Sequence, residues 1–294
     1  MFNISKYDEA GSLDGALEFL SEHPAAKVIA GGTDVVIKMQ GGKLREVELF
    51  SIRGLAELKG SKCSPDGAVL LGPLVTFSQI AGDPFLQDNI PVLTQAALSM
   101  GGPQIRNIAT IGGNICNGAV SADSAPTLLA LNAELRLQSA RGERKVPLRE
   151  FYLGPGKVDL RPGELLTGIM VRPEEYLGYH GHYIKFAMRK AMDIATLGVS
   201  VLCRVEEGKV LRGVRIALGV AAPTPIRCPE AEAFAEGKTA SAETLREIGR
   251  LAVRSTKART SWRASQEYRE HLVAELVPRA LQEAMRAAGG EGNA

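Results

Sequence analysis

The hydrophobic pattern of the first fifty residues predicts a strand, a helix and then two further strands. Apolar residues recur every three or four positions across residues 12–20, which is the helical period, and Ser12 occupies the expected N-cap position. The short run at 27–30 predicts a strand that leads directly into a Gly-Gly pair, and the run at 48–52 predicts another strand. Residues 1–53 are therefore expected to form a small α/β unit.

The next part of the chain, residues 54–175, predicts a second α/β unit. Polar and apolar residues alternate across 134–138, as expected for a half-buried strand, and residues 139–144 supply a hairpin turn. Further strands are predicted at 68–72 and 145–148, and helices at 76–80 and 91–100. The two units together, residues 1–175, are expected to form one domain.

The helical and the strand periodicity of the apolar residues both break at residues 172–182, which makes this segment the predicted linker. Beyond it the pattern predicts strands at 183–189, 199–206 and 210–220, a hairpin turn at 207–209, and helices at 241–256 and 265–288. An antiparallel sheet backed by helices is an α+β arrangement, so residues 180–288 are expected to form a second domain. Residues 289–294 are expected to form a frayed tail.

The composition removes several classes of function. A chain of 294 residues can bury a substantial core and favours two domains. The net charge of +2, with Lys and Arg spread along the chain, and an aromatic content of 5% give no support for nucleic-acid binding. No apolar run approaches the roughly 20 residues that span a bilayer, and residues 1–7 lack the layout of a signal peptide. These features predict a cytoplasmic protein.

The cysteine and histidine residues offer no recognisable metal or catalytic site. The four cysteines are far apart and form no C-x-x-C pair: Cys63, Cys116, Cys203 and Cys228. This spacing argues against a zinc site or an iron–sulfur cluster held by this chain alone, and Cys116 is best explained as a small residue packed beneath a ligand. His180 and His182 lack a third ligand nearby and are predicted to lie in an exposed polar loop. The lone tryptophan, Trp262, could form a subunit contact, but a core position is the favoured prediction.

Two glycine-rich segments carry the strongest functional signal. Residues 27–34 run Lys-Val-Ile-Ala-Gly-Gly-Thr-Asp, and residues 109–118 run Ala-Thr-Ile-Gly-Gly-Asn-Ile-Cys-Asn-Gly. In each, a Gly-Gly pair lets the backbone bring its N–H groups against an anion without an obstructing Cβ. One such pair is usually only a turn, but two in one domain predict a ligand with more than one phosphate. Neither segment has the G-x-G-x-x-G spacing of a dinucleotide fold.

The polar segment around the second Gly-Gly pair, residues 101–126, also suggests a ligand. So many Gly, Asn, Ser and Thr residues are costly to order unless something fills the space between them. Asp123 has the chemistry to accept hydrogen bonds from ribose or ribityl hydroxyls. Alternatively, it is the N-cap of a helix over residues 124–132, and the residues alone leave both interpretations open.

Three motifs, at residues 30–34, 104–118 and 219–227, resemble the FAD-binding subunit of bacterial molybdenum hydroxylases, above all that of three-subunit xanthine dehydrogenases. The similarity runs from the N-terminal strand to the C-terminal helices, and the motifs occur in the family's order. The resemblance implies an FAD-binding domain of the vanillyl-alcohol-oxidase or PCMH type. In that fold two α/β subdomains, here about residues 1–53 and 54–175, clasp the flavin, and a C-terminal α+β domain completes the pocket.

The resemblance also assigns cofactor-binding residues. It places the pyrophosphate between the two glycine-rich segments, the ribityl and adenosine regions at Asn117 and Asp123, and the isoalloxazine beside Leu166 and Lys185. The residues implied to bind FAD are Lys27, Val28, Ile29, Ala30, Gly31, Gly32, Thr33, Asp34, Ala109, Thr110, Gly112, Gly113, Asn114, Asn117, Asp123, Leu166 and Lys185. It implies no catalytic residue and no metal ligand on this chain. A cation at Lys185 would favour the anionic reduced flavin.

Three more positions take on meaning through the same resemblance. Arg189 and Asp193 match a loop near the nicotinamide side of the flavin and are weaker candidates for shaping an NAD site, with a surface hairpin as the alternative. Met100 stands where relatives often place an aromatic side chain near the FAD. A methionine can also pack against a ring, so the stacking of the flavin is left open.

The implied function is that of an oxidoreductase subunit active only within a complex. A molybdopterin-binding large subunit would hydroxylate a purine such as xanthine, and a small subunit with 2Fe-2S clusters would relay electrons to FAD on this chain, with NAD as the acceptor. A dimer of heterotrimers in purine metabolism, without nucleic acid or membrane, is the implied assembly. The flavin subunit of a CO, nicotinate or aldehyde-oxidising relative is one alternative. A nucleotide-binding module without redox activity is an alternative from another class.

Overall fold

The computed structural model describes residues 3–289. The N-terminal unit is a three-stranded parallel sheet with two helices. Its strands are β1 (Ile4–Glu9), β2 (Lys27–Ile29) and β3 (Val47–Ser51) in the order β1-β3-β2, and its helices are α1 (Leu13–Glu22) and α2 (Val35–Gln40). The Ser12 hydroxyl accepts a hydrogen bond from the Gly15 N–H at 3.1 Å, which confirms the predicted N-cap.

The second unit is built on a five-stranded antiparallel sheet with helices against it. Its strands are β4 (Ser61–Cys63), β5 (Val69–Leu71), β6 (Glu134–Ser139), β7 (Gly142–Pro147) and β10 (Leu165–Val171), in the order β4-β5-β10-β6-β7; a separate small ladder joins β8 (Tyr152–Gly154) to β9 (Lys157–Val158). Its helices are α3 (Phe77–Gly82), α4 (Pro84–Asn89), α5 (Pro91–Ser99), α6 (Pro103–Arg106), α7 (Ile111–Cys116), α8 (Ser124–Ala130) and α9 (Leu148–Phe151), and a 3₁₀ turn spans Ala56–Leu58.

The strand pattern of this second unit is partly as predicted. Along β6, Leu135 and Leu137 are fully buried while their neighbours are half-exposed, so the predicted alternation is confirmed. The predicted hairpin turn is also confirmed, because Ser139 pairs with Gly142. Strand β10 was not predicted, although it lies in the middle of the sheet. Its residues are apolar almost without interruption, and such a run does not distinguish a central strand from a buried helix.

The C-terminal unit is a four-stranded antiparallel sheet backed by helices, as predicted. Its strands follow in the order β11 (His180–Phe186), β12 (Leu197–Glu206), β13 (Val210–Gly219) and β14 (Ile226–Arg227), and its helices are α10 (Pro229–Ala235), α11 (Ala242–Val253) and α12 (Gln266–Ala287). Short 3₁₀ turns span Pro173–Glu175 and Glu207–Lys209. The buried residues of this unit form a core of their own between the sheet and the helices. Of the predicted tail, residues 290–294 lie outside the described residues.

Two predictions about individual residues are wrong. His180 and His182 lie on β11, half-buried, rather than in an exposed loop, because the strand begins earlier than its apolar run suggests. Burial lowers the pKa of His182, which keeps its imidazole neutral. Trp262 is 77% exposed rather than part of the core, and its ring stacks under the guanidinium of Arg263. Within residues 3–289 no helix combines the length and the apolar character needed to cross a bilayer.

Candidate functional site

A cavity of about 360 Å³ lies between the N-terminal unit and the second unit. The loop between β2 and α2 forms one side of it, helix α7 forms the other, and residues 160–166 close a third side. Most of the predicted cofactor-binding residues line this cavity: Lys27, Val28, Ala30, Gly31, Gly32, Thr33, Asp34, Ala109, Thr110, Gly112, Gly113, Asn114, Asn117 and Leu166. Ile29, Asp123 and Lys185 are not among the lining residues. Met100 does line it.

The two glycine-rich segments approach each other so closely that one glycine is required by packing. A Cβ atom built on Gly31 would lie 2.1 Å from the carbonyl oxygen of Ile108, far inside van der Waals contact. Only a residue without a side chain fits between the β2–α2 loop and the segment that leads into α7. Gly32 next to it has a φ of 75°, a left-handed conformation that also favours glycine.

Backbone N–H groups of the first segment have no acceptor within the described chain. The N–H groups of Gly31, Gly32 and Thr33 donate to none of residues 3–289, and all three residues line the cavity. Unpaired N–H groups that face a cavity are suited to binding an anion. This segment therefore has the donors that a phosphate group requires.

The second segment was predicted to be a similar loop, and that prediction is wrong. Residues 111–116 form α7, with Thr110 as its N-cap, and the Thr110 hydroxyl accepts the N–H of Gly113 at 3.1 Å. The Gly112 N–H donates to the Pro73 carbonyl at 2.9 Å, and a Cβ on Gly112 would lie 2.4 Å from the Pro73 side chain. These glycines allow α7 to pack against the preceding turn, and their N–H groups are already paired. The N–H groups of Gly112 and Gly113 are therefore not available to a ligand.

Two lysines contribute positive charge to the cavity. The ammonium group of Lys38, on α2, donates to the Asn117 side-chain oxygen at 2.5 Å, which joins the two sides of the cavity. Partial burial lowers the pKa of Lys27, and the like charge of Lys38 lowers it further. Neither lysine forms an ion pair with any described residue. Lys38 was not predicted, because a lysine in an ordinary helix has no local signature.

Asp123 and Lys185 were predicted separately, and the structure brings them together behind the cavity wall. The Lys185 ammonium group lies 2.8 Å from the Asp123 carboxylate and also donates to the Ser99 carbonyl at 3.1 Å. The Tyr183 hydroxyl donates to the other carboxylate oxygen at 3.2 Å. Burial raises the pKa of Asp123, and Lys185 and Tyr183 partly oppose that rise. Asp123 is positioned at the start of α8 but its side chain caps no N–H group.

The loop that closes the third side of the cavity is held by an arginine. The Arg144 guanidinium, on β7, donates to both carboxylate oxygens of Glu164, at 2.7 and 2.9 Å, and to the Asp159 carboxylate at 2.7 Å. These ion pairs lower the pKa of Asp159, and they outweigh the effect of burial to lower that of Glu164. This loop was not identified from the sequence, because Asp159 and Glu164 come close to Arg144 only when the sheet has folded.

The remaining candidate residues are Cys116, Arg189 and Asp193. Burial raises the pKa of Cys116 to about 12, so its thiol is unreactive and serves as packing. Arg189 and Asp193 do not line the cavity; they lie on the β11–β12 connection, where the Arg189 N–H donates to the Asp193 carboxylate at 2.9 Å. No group of three or more His, Cys, Asp and Glu residues within 3–289 is arranged to hold a metal ion.

Comparisons with protein families and known proteins agree along the whole chain. Residues 2–173 match the model of the FAD binding domain in molybdopterin dehydrogenase, and residues 182–284 match that of the CO dehydrogenase flavoprotein C-terminal domain. The chain is 43% identical over 293 residues to the putative xanthine dehydrogenase FAD-binding subunit of Escherichia coli (strain K12), with 99% of both chains covered.

More distant relatives have other named activities. The glyceraldehyde dehydrogenase medium chain of Sulfolobus acidocaldarius is 30% identical over 94% of this chain and 97% of its own length. Among solved structures, carbon monoxide dehydrogenase from Hydrogenophaga pseudoflava superimposes with a TM-score of 0.92 at 28% identity, covering 97% of this chain and 99% of the matched chain. The similarity in fold therefore extends across proteins that act on different substrates.

Proposed function

The chain belongs to the family of FAD-binding subunits of molybdenum hydroxylases, and on this premise we propose that it is the flavin subunit of a xanthine dehydrogenase. The sequence resemblance predicted both this family and the fold class. In the proposed complex it takes electrons from 2Fe-2S clusters on a small partner subunit, downstream of a molybdopterin-binding large subunit, and NAD⁺ is the final acceptor. The 43% sequence identity over 99% of this chain to a putative xanthine dehydrogenase FAD-binding subunit is the observation that supports this choice. Relatives named for CO, nicotinate or glyceraldehyde are 29–30% identical.

The residues that line the cavity fit a ligand with a diphosphate and polar sugar groups. The unpaired N–H groups of Gly31, Gly32 and Thr33 provide donors for the diphosphate. Asn114 and Asn117 supply side-chain amides on the opposite side. When bound, FAD supplies the redox chemistry that connects one-electron carriers to a two-electron acceptor.

The chain's own task is therefore to bind and orient the cofactor. Leu166, which is buried at the end of the cavity formed by β10, is proposed to contact the apolar face of the ring system. Lys185 is proposed to lie near the isoalloxazine edge, with Asp123 as the partner that holds its ammonium group in place. No residue of this chain needs to act as a general acid or base, because the cofactor carries the chemistry.

For the acceptor we propose NAD⁺, with Arg189 and Asp193 on the side where it approaches. The loop that carries them reaches the cavity wall, because the Met192 N–H donates to the Gly101 carbonyl at 3.2 Å next to Met100. This contact brings the β11–β12 connection beside the predicted flavin site. A cytoplasmic complex assembled as a dimer of heterotrimers completes the proposal.

The test is to purify the chain with its partner subunits and follow the flavin. We expect a yellow protein with absorbance near 450 nm that bleaches with dithionite, and also with xanthine in the intact complex, with NAD⁺ restoring the colour. Bleaching by dithionite but by no purine would point to a relative with another substrate. A colourless protein that binds only ATP or GTP would overturn the redox function.

A further inference from the structure

The two lysines of the cavity are unusual because neither has a carboxylate partner among the described residues. Each lines the cavity, and neither makes an ion pair within residues 3–289. Their electrostatic coupling is direct, since Lys38 lowers the pKa of Lys27. Two like charges in a partly desolvated space oppose each other unless an anion lies between them.

The position of Lys38 is fixed by a residue from the other side of the cavity. Its ammonium group donates to the Asn117 side-chain oxygen at 2.5 Å, which leaves two further N–H groups of the ammonium available. Lys38 lies on the helix that follows the β2–α2 loop directly, so the ammonium group shares the cavity with the unpaired N–H groups of Gly31, Gly32 and Thr33. The amide of Asn117 thus holds the cation in the cavity that these donors also line.

We propose that Lys38 is a phosphate-binding residue, and that it acts with Lys27 and the β2–α2 loop to neutralise a diphosphate, so that the cavity selects a dinucleotide over the corresponding nucleoside. This inference rests on the proposed function in assigning FAD as the ligand. It goes beyond that function in naming the residue that recognises charge. A dinucleotide diphosphate carries two negative charges, which match the two ammonium groups.

The remaining ionisable groups of the cavity do not cancel this positive charge. Asp34, Arg161, Glu164 and Cys116 also line it. Glu164 is engaged by Arg144, and the Cys116 thiol stays neutral because burial raises its pKa to about 12. Asp34 and Arg161 carry opposite charges.

The first test compares two ligands that differ in the diphosphate. FAD and riboflavin are titrated by fluorescence into the full-length chain freed of flavin, with Lys38→Met and Lys38→Arg variants beside it. Because a charge-assisted hydrogen bond is lost, Lys38→Met should raise the Kd of FAD about tenfold or more and leave that of riboflavin within about twofold. Lys38→Arg should retain most of the affinity. Lys43→Met, which removes an exposed lysine just beyond α2, should change neither Kd.

The second test measures the protons taken up when FAD binds. A contact with only a structural role would not change this uptake. A bound diphosphate raises the lowered pKa of Lys27, so binding of FAD at alkaline pH should take up protons. Titration calorimetry in buffers of different ionisation enthalpy measures this uptake. Lys38→Met should reduce it, because the pKa of Lys27 then starts closer to its usual value.

The outcomes separate this inference from the proposed function. Unchanged FAD affinity in Lys38→Met, or equal loss of FAD and riboflavin together with a lower Tm, would overturn the role of Lys38 as a phosphate ligand. If the chain binds no flavin but binds ADP, and Lys38→Met weakens ADP, the proposed function fails while the phosphate site stands.

Discussion

Lys185 and Asp123 form a nearly buried ion pair, with 2.8 Å between ammonium nitrogen and carboxylate oxygen and side chains only 10% and 8% exposed. The pair connects β11 of the C-terminal unit to the start of α8 in the second unit. It therefore fixes how the C-terminal sheet meets the wall behind the cavity. Burying either charge alone is costly. Removing one partner should therefore destabilise the protein by more than the attraction between the two charges stabilises it.

Lys185→Met should destabilise the protein by about 3–5 kcal/mol near pH 8, because it leaves a buried, unpaired carboxylate. Without the lysine, the pKa of Asp123 should rise further above its usual value. A carboxyl group with a raised pKa binds protons in the folded state, so the free energy of unfolding of the variant should fall as pH increases through the raised pKa. Urea unfolding at pH 5 to 8 measures this.

The matched control for this ion pair is Lys190→Met, which removes an exposed lysine nearby and should be neutral. The double variant with Asp123→Asn should recover much of the lost stability, since no buried charge remains. A loss that does not depend on pH would contradict the interpretation.

Gly31→Ala should separate the two sides of the cavity. The added methyl group would lie 2.1 Å from the Ile108 carbonyl oxygen, and backbone atoms cannot yield as a flexible side chain does. We expect a loss of about 2 kcal/mol or more in the free energy of unfolding, and flavin affinity reduced at least tenfold. Gly11→Ala, where a Cβ meets nothing within 4 Å, is the control and should change neither. Full flavin occupancy in Gly31→Ala would refute the close approach.

The elements that sequence predicted correctly are those with a local signal. The Ser12 cap, the alternation along β6 and the two C-terminal helices depend on residues a few positions apart. For α7, the sequence contains a local helix signal, but the segment was predicted to be a loop. Thr110 three residues before Gly113 is an N-cap pattern, and the Gly-Gly pair hid it because glycine is a poor helix former.

The features that sequence missed depend on residues distant in the chain. Lys38 and Asn117 are 79 residues apart, and nothing near either residue indicates the contact. Asp123 was identified from the polar segment around it and Lys185 through a family resemblance, yet their pairing became visible only in three dimensions. The glycines therefore allowed the cavity to be located from a single sequence. The charged residues of the site and their partners were recognised only in the folded structure.

One thiol should react in the native protein. Cys63 is exposed on β4, whereas burial raises the pKa values of Cys116, Cys203 and Cys228 to about 12. Because the thiolate is the reactive form, a disulfide reagent at pH 8 should titrate about one thiol rapidly and all four only in denaturant. Cys63→Ser should abolish the rapid phase. Fast reaction of a second thiol would show that the cavity around Cys116 is more open than the structure indicates.

Arg144→Met should loosen the loop of residues 159–164 that closes the cavity. It removes the partner of Glu164 and Asp159, and a loss of about 2–4 kcal/mol in unfolding free energy is expected at pH 7, with weaker FAD binding. The lowered pKa values of Asp159 and Glu164 stabilise the parent above the usual carboxyl pKa, and this stability is lost as pH falls through the lowered values. The difference between parent and variant should therefore shrink toward pH 3, whereas Arg149→Met, on an exposed arginine, should match the parent throughout. Equal stability of Arg144→Met and the parent at pH 7 would mean that the loop is held by its backbone contacts alone.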